Sequence, residues 1–208
     1  MFATDPRVVA DQADKVAAAW SPLDAPASWR LTASQFETLR DDDELLAIAA
    51  TTAPDKLPPL LFGAAASFLV LELEPQPLRR WFPKIGEPQS PLDRRFPQEY
   101  RAFCLDHQDR LRGLCARHRY QMNEVGRCAD LLPALAPAIE DQREIALVDV
   151  GTGAGLALHA DRYRYVFRGP ESHVVTVGDP DSEVVIETEL RGGHPAPIPS
   201  TPLKIVER

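Results

Sequence analysis

No stretch of this sequence is long and apolar enough to span a bilayer. The most hydrophobic run, residues 60–71, falls well short of the roughly 20 residues a membrane helix needs, so a buried helix is expected there. The first residues, Met-Phe-Ala-Thr-Asp-Pro, have neither a basic start nor an apolar core, and no secretory signal is expected. Cysteine is scarce. The three residues, Cys104, Cys115 and Cys128, are an odd number, which argues for reduced thiols in a cytoplasmic protein and against a disulfide framework. Basic excess is also missing: 31 acids face 23 Lys and Arg, a formal net charge of −8. A nucleic-acid partner is therefore disfavoured, because phosphate contacts need a basic surface. There is no Walker, Gly-x-Ser-x-Gly or His-Glu-x-x-His motif. His159, His173 and His194 have no acid–nucleophile partner spacing.

Proline is plentiful by contrast, 20 residues or about twice the average usage, and it favours short elements. Residues 1–140 read as helical. Thr4 or Asp5 can cap a helix with Pro6 in its first turn, ending near Trp20 at Ser21 and Pro22. Acids at 41–44 head a second helix over 44–51. Pro58 and Pro59 open a third, apolar all round and so central, which Pro75 and Pro77 close. Residues 83–93 are expected as a loop. Tyr100, Phe103, Cys104, His107, Leu111, Leu114, Cys115 and His118 form one stripe at helical spacing, predicting a single helix over 97–119. Cys104-x-x-His107 and Cys115-x-x-His118 look like halves of a zinc site. On one helix, however, they lie about 16 Å apart along the axis, and core packing is the better reading. A further helix starts near Asn123, interrupted or bent by Pro133 and Pro137.

At Glu144 the period changes. Residues 145–150, Ile-Ala-Leu-Val-Asp-Val, have the pattern of a short buried strand, and Gly151-Thr152-Gly153-Ala154-Gly155 leads from it into a helical start. Residues 161–165 are expected to close that helix, with Tyr163 and Tyr165 packing under a sheet. Residues 173–177 and 184–190 read as a hairpin joined by 178–182, with Glu187 and Glu189 on its solvent face. A Gly/Pro-rich loop over 192–202 precedes a last strand at 203–206.

Glycines between a strand and a helix allow a tight turn and let backbone approach a ligand with no Cβ in the way. The dinucleotide fingerprint would put its third glycine at 156, which is Leu156, so a dehydrogenase ranks low. Asp149-Val150-Gly151-Thr152-Gly153-Ala154-Gly155 instead resembles the first motif of class I S-adenosylmethionine-dependent methyltransferases. The resemblance implies that the loop lies beneath the cofactor's methionine portion and that Asp149 holds its ammonium. A turn serving only chain reversal is the competing reading. Asn123, Glu124 and Arg127 form the nearest polar cluster. Either they contact cofactor or substrate, or Asn123 caps its helix while Glu124 and Arg127 pair on the surface.

Several longer blocks are similar to the bacterial family called domain of unknown function 2332. They are Tyr-Arg-Ala-Phe-Cys at 100–104, Gln-Met-Asn-Glu-Val-Gly-Arg at 121–127, Leu-Leu-Pro-Ala-Leu at 131–135 and Leu-Val-Asp-Val-Gly at 147–151. Asp-Arg-Tyr-Arg-Tyr at 161–165 and Gly-Asp-Pro-Asp-Ser at 178–182 complete the set. That resemblance implies a chain continuing past residue 208 into further α/β units. The expected fold class is α/β: a helical N-terminal region (1–140) packed on a partial Rossmann-like, methyltransferase-like sheet (141–208) with an inserted β-hairpin. The strand at 203–206 would be the second parallel strand, with Glu207 as a candidate ribose-binding acid. A sheet lacking its later strands would need an edge from a second copy. The expected cofactor is S-adenosylmethionine, held by Asp149, Gly151, Thr152, Gly153 and Gly155 with Asn123 and Glu124 nearby; no metal is expected. The sequence identifies neither the methyl acceptor nor a catalytic base. The alternative is a non-catalytic α/β binding or interaction module.

Overall fold

The computed structural model describes residues 3–22, 24–73, 75–83, 89–141, 143–151, 153–170, 173–192 and 196–207. The chain divides into two compact units, Met1–Tyr120 and Gln121–Arg208. The first is helical: α1 (Pro6–Ala19), α2 (Ala27–Arg40), α3 (Asp43–Ala49), α4 (Pro58–Glu72), α5 (Phe96–Asp106) and α6 (Gln108–Arg117), with 3₁₀ turns at Pro54–Lys56 and Pro77–Trp81. Among the described residues no helix is long and apolar enough to cross a membrane.

Local chemistry explains most boundaries. Asp5 caps α1 by accepting the N–H of Arg7 at 2.9 Å. Thr4 turns inward instead and donates to the Thr52 carbonyl at 2.7 Å. Asp42 caps α3 through the N–H groups of Glu44 and Leu45, and Arg101 from α5 pairs with the same carboxylate. Burial pushes that acid up, but the Leu45 N–H and Arg101 outweigh it, and Asp42 titrates below the ordinary carboxylate range. The α2 helix has no expected counterpart in the sequence. Its buried face includes Ser34 and Gln35 beside Leu31, Phe36 and Leu39, so its period is blurred, and Pro26 at its N-cap offers no side-chain acceptor.

Two helical expectations change. Tyr100, Phe103, Cys104, Leu111 and Cys115 of the stripe are buried as expected, but on two helices, not one. His107 takes φ −112° and ψ 20° and breaks the chain between α5 and α6, its ring set edge-on against Phe103. Cys104 and Cys115 are buried free thiols, and Cys128 is a third in the other unit. In α4, Phe62, Ala66, Leu69 and Val70 reach the core, whereas Phe68 and Leu71 remain exposed, so one flank faces outward.

The second unit pairs α7 (Cys128–Glu140) with five strands: β1 (Ile145–Ala146), β2 (Arg164–Arg168), β3 (Val174–Gly178), β4 (Val185–Glu189) and β5 (Ile205–Glu207). Cys128, Leu132 and Ile139 of α7 share a core with Tyr165, Phe167, Ile186, Leu203 and Ile205. The helix runs unbroken through Pro133 and Pro137. β1 and β5 pair in parallel, as expected for the last strand.

The other sheet corrects the reading of residues 161–190. β3 and β4 do not form a hairpin. β2 lies between them in the order β3-β2-β4, antiparallel to β3 and parallel to β4. Residues 164–168 are thus a strand and not a helix end. The sequence Arg-Tyr-Val-Phe-Arg buries Tyr165, Val166 and Phe167, a central-strand pattern that outcompetes pairing between the flanking runs. Glu187 and Glu189 are exposed on β4, where Arg168 and Arg191 pair with them. The described sheets are therefore small and mixed, and the chain is mixed α/β.

Candidate functional site

A pocket of about 280 Å³ opens in the second unit between the 3₁₀ turn at Val125–Arg127, the start of α7 and the segment after β1. Its size is near the lower end of small-molecule sites, about 300–1,000 Å³. Asn123, Glu124, Asp149 and Gly151 line it, together with Arg127. Its apolar walls come from Cys128, Leu131, Leu147 and Ala157. Two separate stretches of the chain, within 122–131 and 147–157, thus share one concavity.

The segment after β1 departs from the expected buried strand. Ladder pairing ends at Ala146, and Val148 and Val150 are 84% and 93% exposed. Beyond Ala146 the Leu147 N–H still donates to the Glu207 carbonyl at 3.0 Å. The side chain of Glu207 is exposed and does not line the pocket.

The glycine turn follows. Gly151 and Gly153 have φ of 79° and 59°, left-handed backbone that an L side chain adopts at a cost. At Gly153 an added Cβ would stand 2.6 Å from Asn123 Oδ1, whereas at Gly151 nothing lies within 4 Å. Asn123 Oδ1 accepts the N–H of Ala154 at 2.7 Å. The expectation that Asn123 caps its own helix is thereby corrected: the side chain reaches across to the glycine turn because its oxygen meets an unpaired amide there. Gly155 precedes a 3₁₀ turn, Leu156–Arg162, kinked at His159, in place of the expected α-helix. Thr152 and His194 lie outside the described residues.

Tyr163 and Tyr165 fix this 3₁₀ turn to the sheet. Their hydroxyls donate to the carbonyls of Leu156 at 2.7 Å and Ala160 at 2.6 Å. Leu156 also lines the pocket, so Tyr163, just before β2, holds one wall. Sequence reasoning missed this arrangement because residues 161–165 read as helical. It also missed the apolar wall, although Cys128 and Leu131 stand at i,i+3 on one helix face and signal it.

The electrostatics are set by three charged residues. Among the described residues the expected Glu124–Arg127 pair does not form, and the Arg127 guanidinium donates to the Met122 carbonyl at 3.5 Å. Burial raises the Cys128 thiol above its ordinary range, while Arg127 draws it down and Asp149 pushes it up. Both charges therefore act on one sulfur in the pocket wall. Among the described residues no group of three or more His, Cys, Asp or Glu has the placement of a metal site.

Residues 7–208 match the family described as "Uncharacterized protein conserved in bacteria (DUF2332)". No curated protein and no solved structure matches the chain.

Proposed function

The chain belongs to that bacterial family, and we propose that its pocket is a small-molecule site whose ligand is S-adenosylmethionine or a close analogue. The observation that carries the proposal is the meeting of Asp149, Gly151, Asn123 and Glu124 around one cavity. The residues fit the charged end of such a molecule. Asp149 and Glu124 offer carboxylates to an ammonium, and the open space at Gly151 admits close approach to the backbone. Asn123 holds the turn through Ala154, which leaves Gly151 presented to the cavity. Gly153 and Gly155 shape the turn and do not line the cavity. The β1–β5 parallel pair is where a Rossmann-like sheet would begin. When bound, the cofactor supplies an electrophilic methyl group; the protein's part is to orient it and to hold an acceptor beside it.

A second reading has its own support. The 3₁₀ turn after Gly155 has only seven residues and is kinked, so it offers no helix N-terminus to a ligand. A binding or interaction module that performs no methyl transfer is consistent with this. Isothermal calorimetry with S-adenosylhomocysteine tests the proposal. One-site binding is expected; absence of heat overturns the cofactor reading and leaves the second.

A further inference from the structure

We infer that the mouth of this pocket seats the aliphatic part of a small amphipathic molecule, on a collar formed by Met122, Val148, Val150 and Leu156. This rests on the reading of the pocket as a small-molecule site and goes beyond the cofactor. If S-adenosylmethionine occupies the pocket, the aliphatic molecule is the acceptor beside it.

Single exposed apolar side chains are ordinary on a protein surface; a group of them around one concavity is not. Met122, Val148, Val150 and Leu156 all line the pocket, and all four are exposed. The other large apolar residues exposed in this unit, among those described, are Val174, Val185 and Val206, which lie on strands and do not line the pocket. The collar is drawn from three places: Met122 before the 3₁₀ turn, Val148 and Val150 after β1, and Leu156 after the glycine turn. Leu131, Leu147 and Ala157 continue the apolar wall, so collar and cavity form one surface. Covering that surface removes apolar area from water, which favours any ligand with an apolar body. A protein partner is the poorer occupant. Four side chains around a hollow fall far short of the about 20–30 residues a side in a standard interface. None of the described lining residues is aromatic, so a planar ligand finds no ring to stack on, whereas Met, Val and Leu side chains pack against a flexible aliphatic chain. Asn123 and Glu124 line the same cavity, and they suit a polar group at the ligand's other end.

The chain has 2 methionines, Met1 and Met122, so the Met122 methyl resonance reports directly on the collar. The test titrates 1-hexanol and 1-octanol into the whole chain carrying ¹³C-methyl methionine, as wild type, Val150→Asp and Phe68→Asp. Val150 and Phe68 are exposed, so both variants are expected to melt at the wild-type temperature. Each buried methylene strengthens binding roughly fourfold, so 1-octanol should bind about tenfold or more tighter than 1-hexanol. A saturable shift of the Met122 methyl is expected with both alcohols. It should need at least about fourfold more alcohol in Val150→Asp and be unchanged in Phe68→Asp, whose apolar patch lies in the other unit. No shift with either alcohol, or equal affinity for the two, overturns the inference. So does a dimer in analytical ultracentrifugation that Val150→Asp dissociates, since a second copy would then cover the collar. Calorimetry with S-adenosylhomocysteine runs in parallel. If it gives no heat while the alcohols bind as expected, the cofactor reading falls and this inference stands. If it binds while neither alcohol shifts Met122, the inference falls and the cofactor reading stands.

Discussion

Asn123 Oδ1 accepts the backbone N–H of Ala154 at 2.7 Å, joining the turn before α7 to the glycine turn 31 residues later. The contact supplies an acceptor to an amide with no helix or strand of its own, and it fixes the separation between the charged turn and Gly151.

Replacing Asn123 with Ala should remove that acceptor at a net cost of about 0.5–1.5 kcal/mol. Amide hydrogen exchange at Ala154 should accelerate in Asn123→Ala and stay close to wild type in Asn123→Asp, which keeps an oxygen in place. Unchanged protection in the Ala variant would show that the contact does not hold the turn.

The two glycines predict different losses. Gly151→Ala meets no atom within 4 Å and suffers only the left-handed backbone penalty, about 1–2 kcal/mol. Gly153→Ala carries a similar penalty and also drives its Cβ against Asn123. Thermal melting should therefore rank Gly153→Ala as the less stable variant. Calorimetry should find S-adenosylhomocysteine binding weakened at least about tenfold in Gly151→Ala, as backbone approach is blocked.

The acid limb of stability should depend on Asp42. Its pKa in the folded chain lies below the ordinary value of about 3.9, so its contribution is full above that pH and fades as pH falls through the folded value. Asp42→Ala should lose a helix cap worth about 0.5–2 kcal/mol at neutral pH. Asp42→Asn should retain most of the cap while losing the Arg101 pair. Urea unfolding at pH 7 and below pH 4 should show wild type and Asp42→Asn converging at the lower pH.

Tyr165→Phe should leave the Ala160 carbonyl without its donor in the core, at about 1–3 kcal/mol. Tyr163→Phe releases Leu156, a pocket residue, so ligand affinity should fall as well as stability. Denaturant midpoints separate the first effect, and calorimetry reports the second.

Pattern and caps made the helices legible. Asp5 before Pro6, Asp42 before two acids, and Pro58 with Pro59 are local signals whose physics is complete within a few residues, and the structure places helices after all three. The burial of Tyr100, Cys104, Leu111 and Cys115 was likewise readable as a stripe. The break at His107 was not, because the stripe stays in phase across it and the local sequence carries no glycine or proline there. The α2 helix escaped for the opposite reason: Ser34 and Gln35 are buried, so polarity no longer marks the outside.

In the candidate site the sequence by itself determined the ingredients: three glycines at alternate positions, an acid two residues before them, and a polar cluster at 123–127. It also determined the apolar character of residues 164–168, though not their partners. Only the tertiary structure decided that Asn123 reaches Ala154, that Glu124 and Arg127 stay apart, and that β2 lies between β3 and β4. Caps and helical stripes act over one or two turns, and their energies are set by neighbours in the chain. Strand order and a side chain crossing to a distant amide are settled by which of several long-range contacts buries most surface and leaves fewest polar groups unpaired, a competition with no local trace.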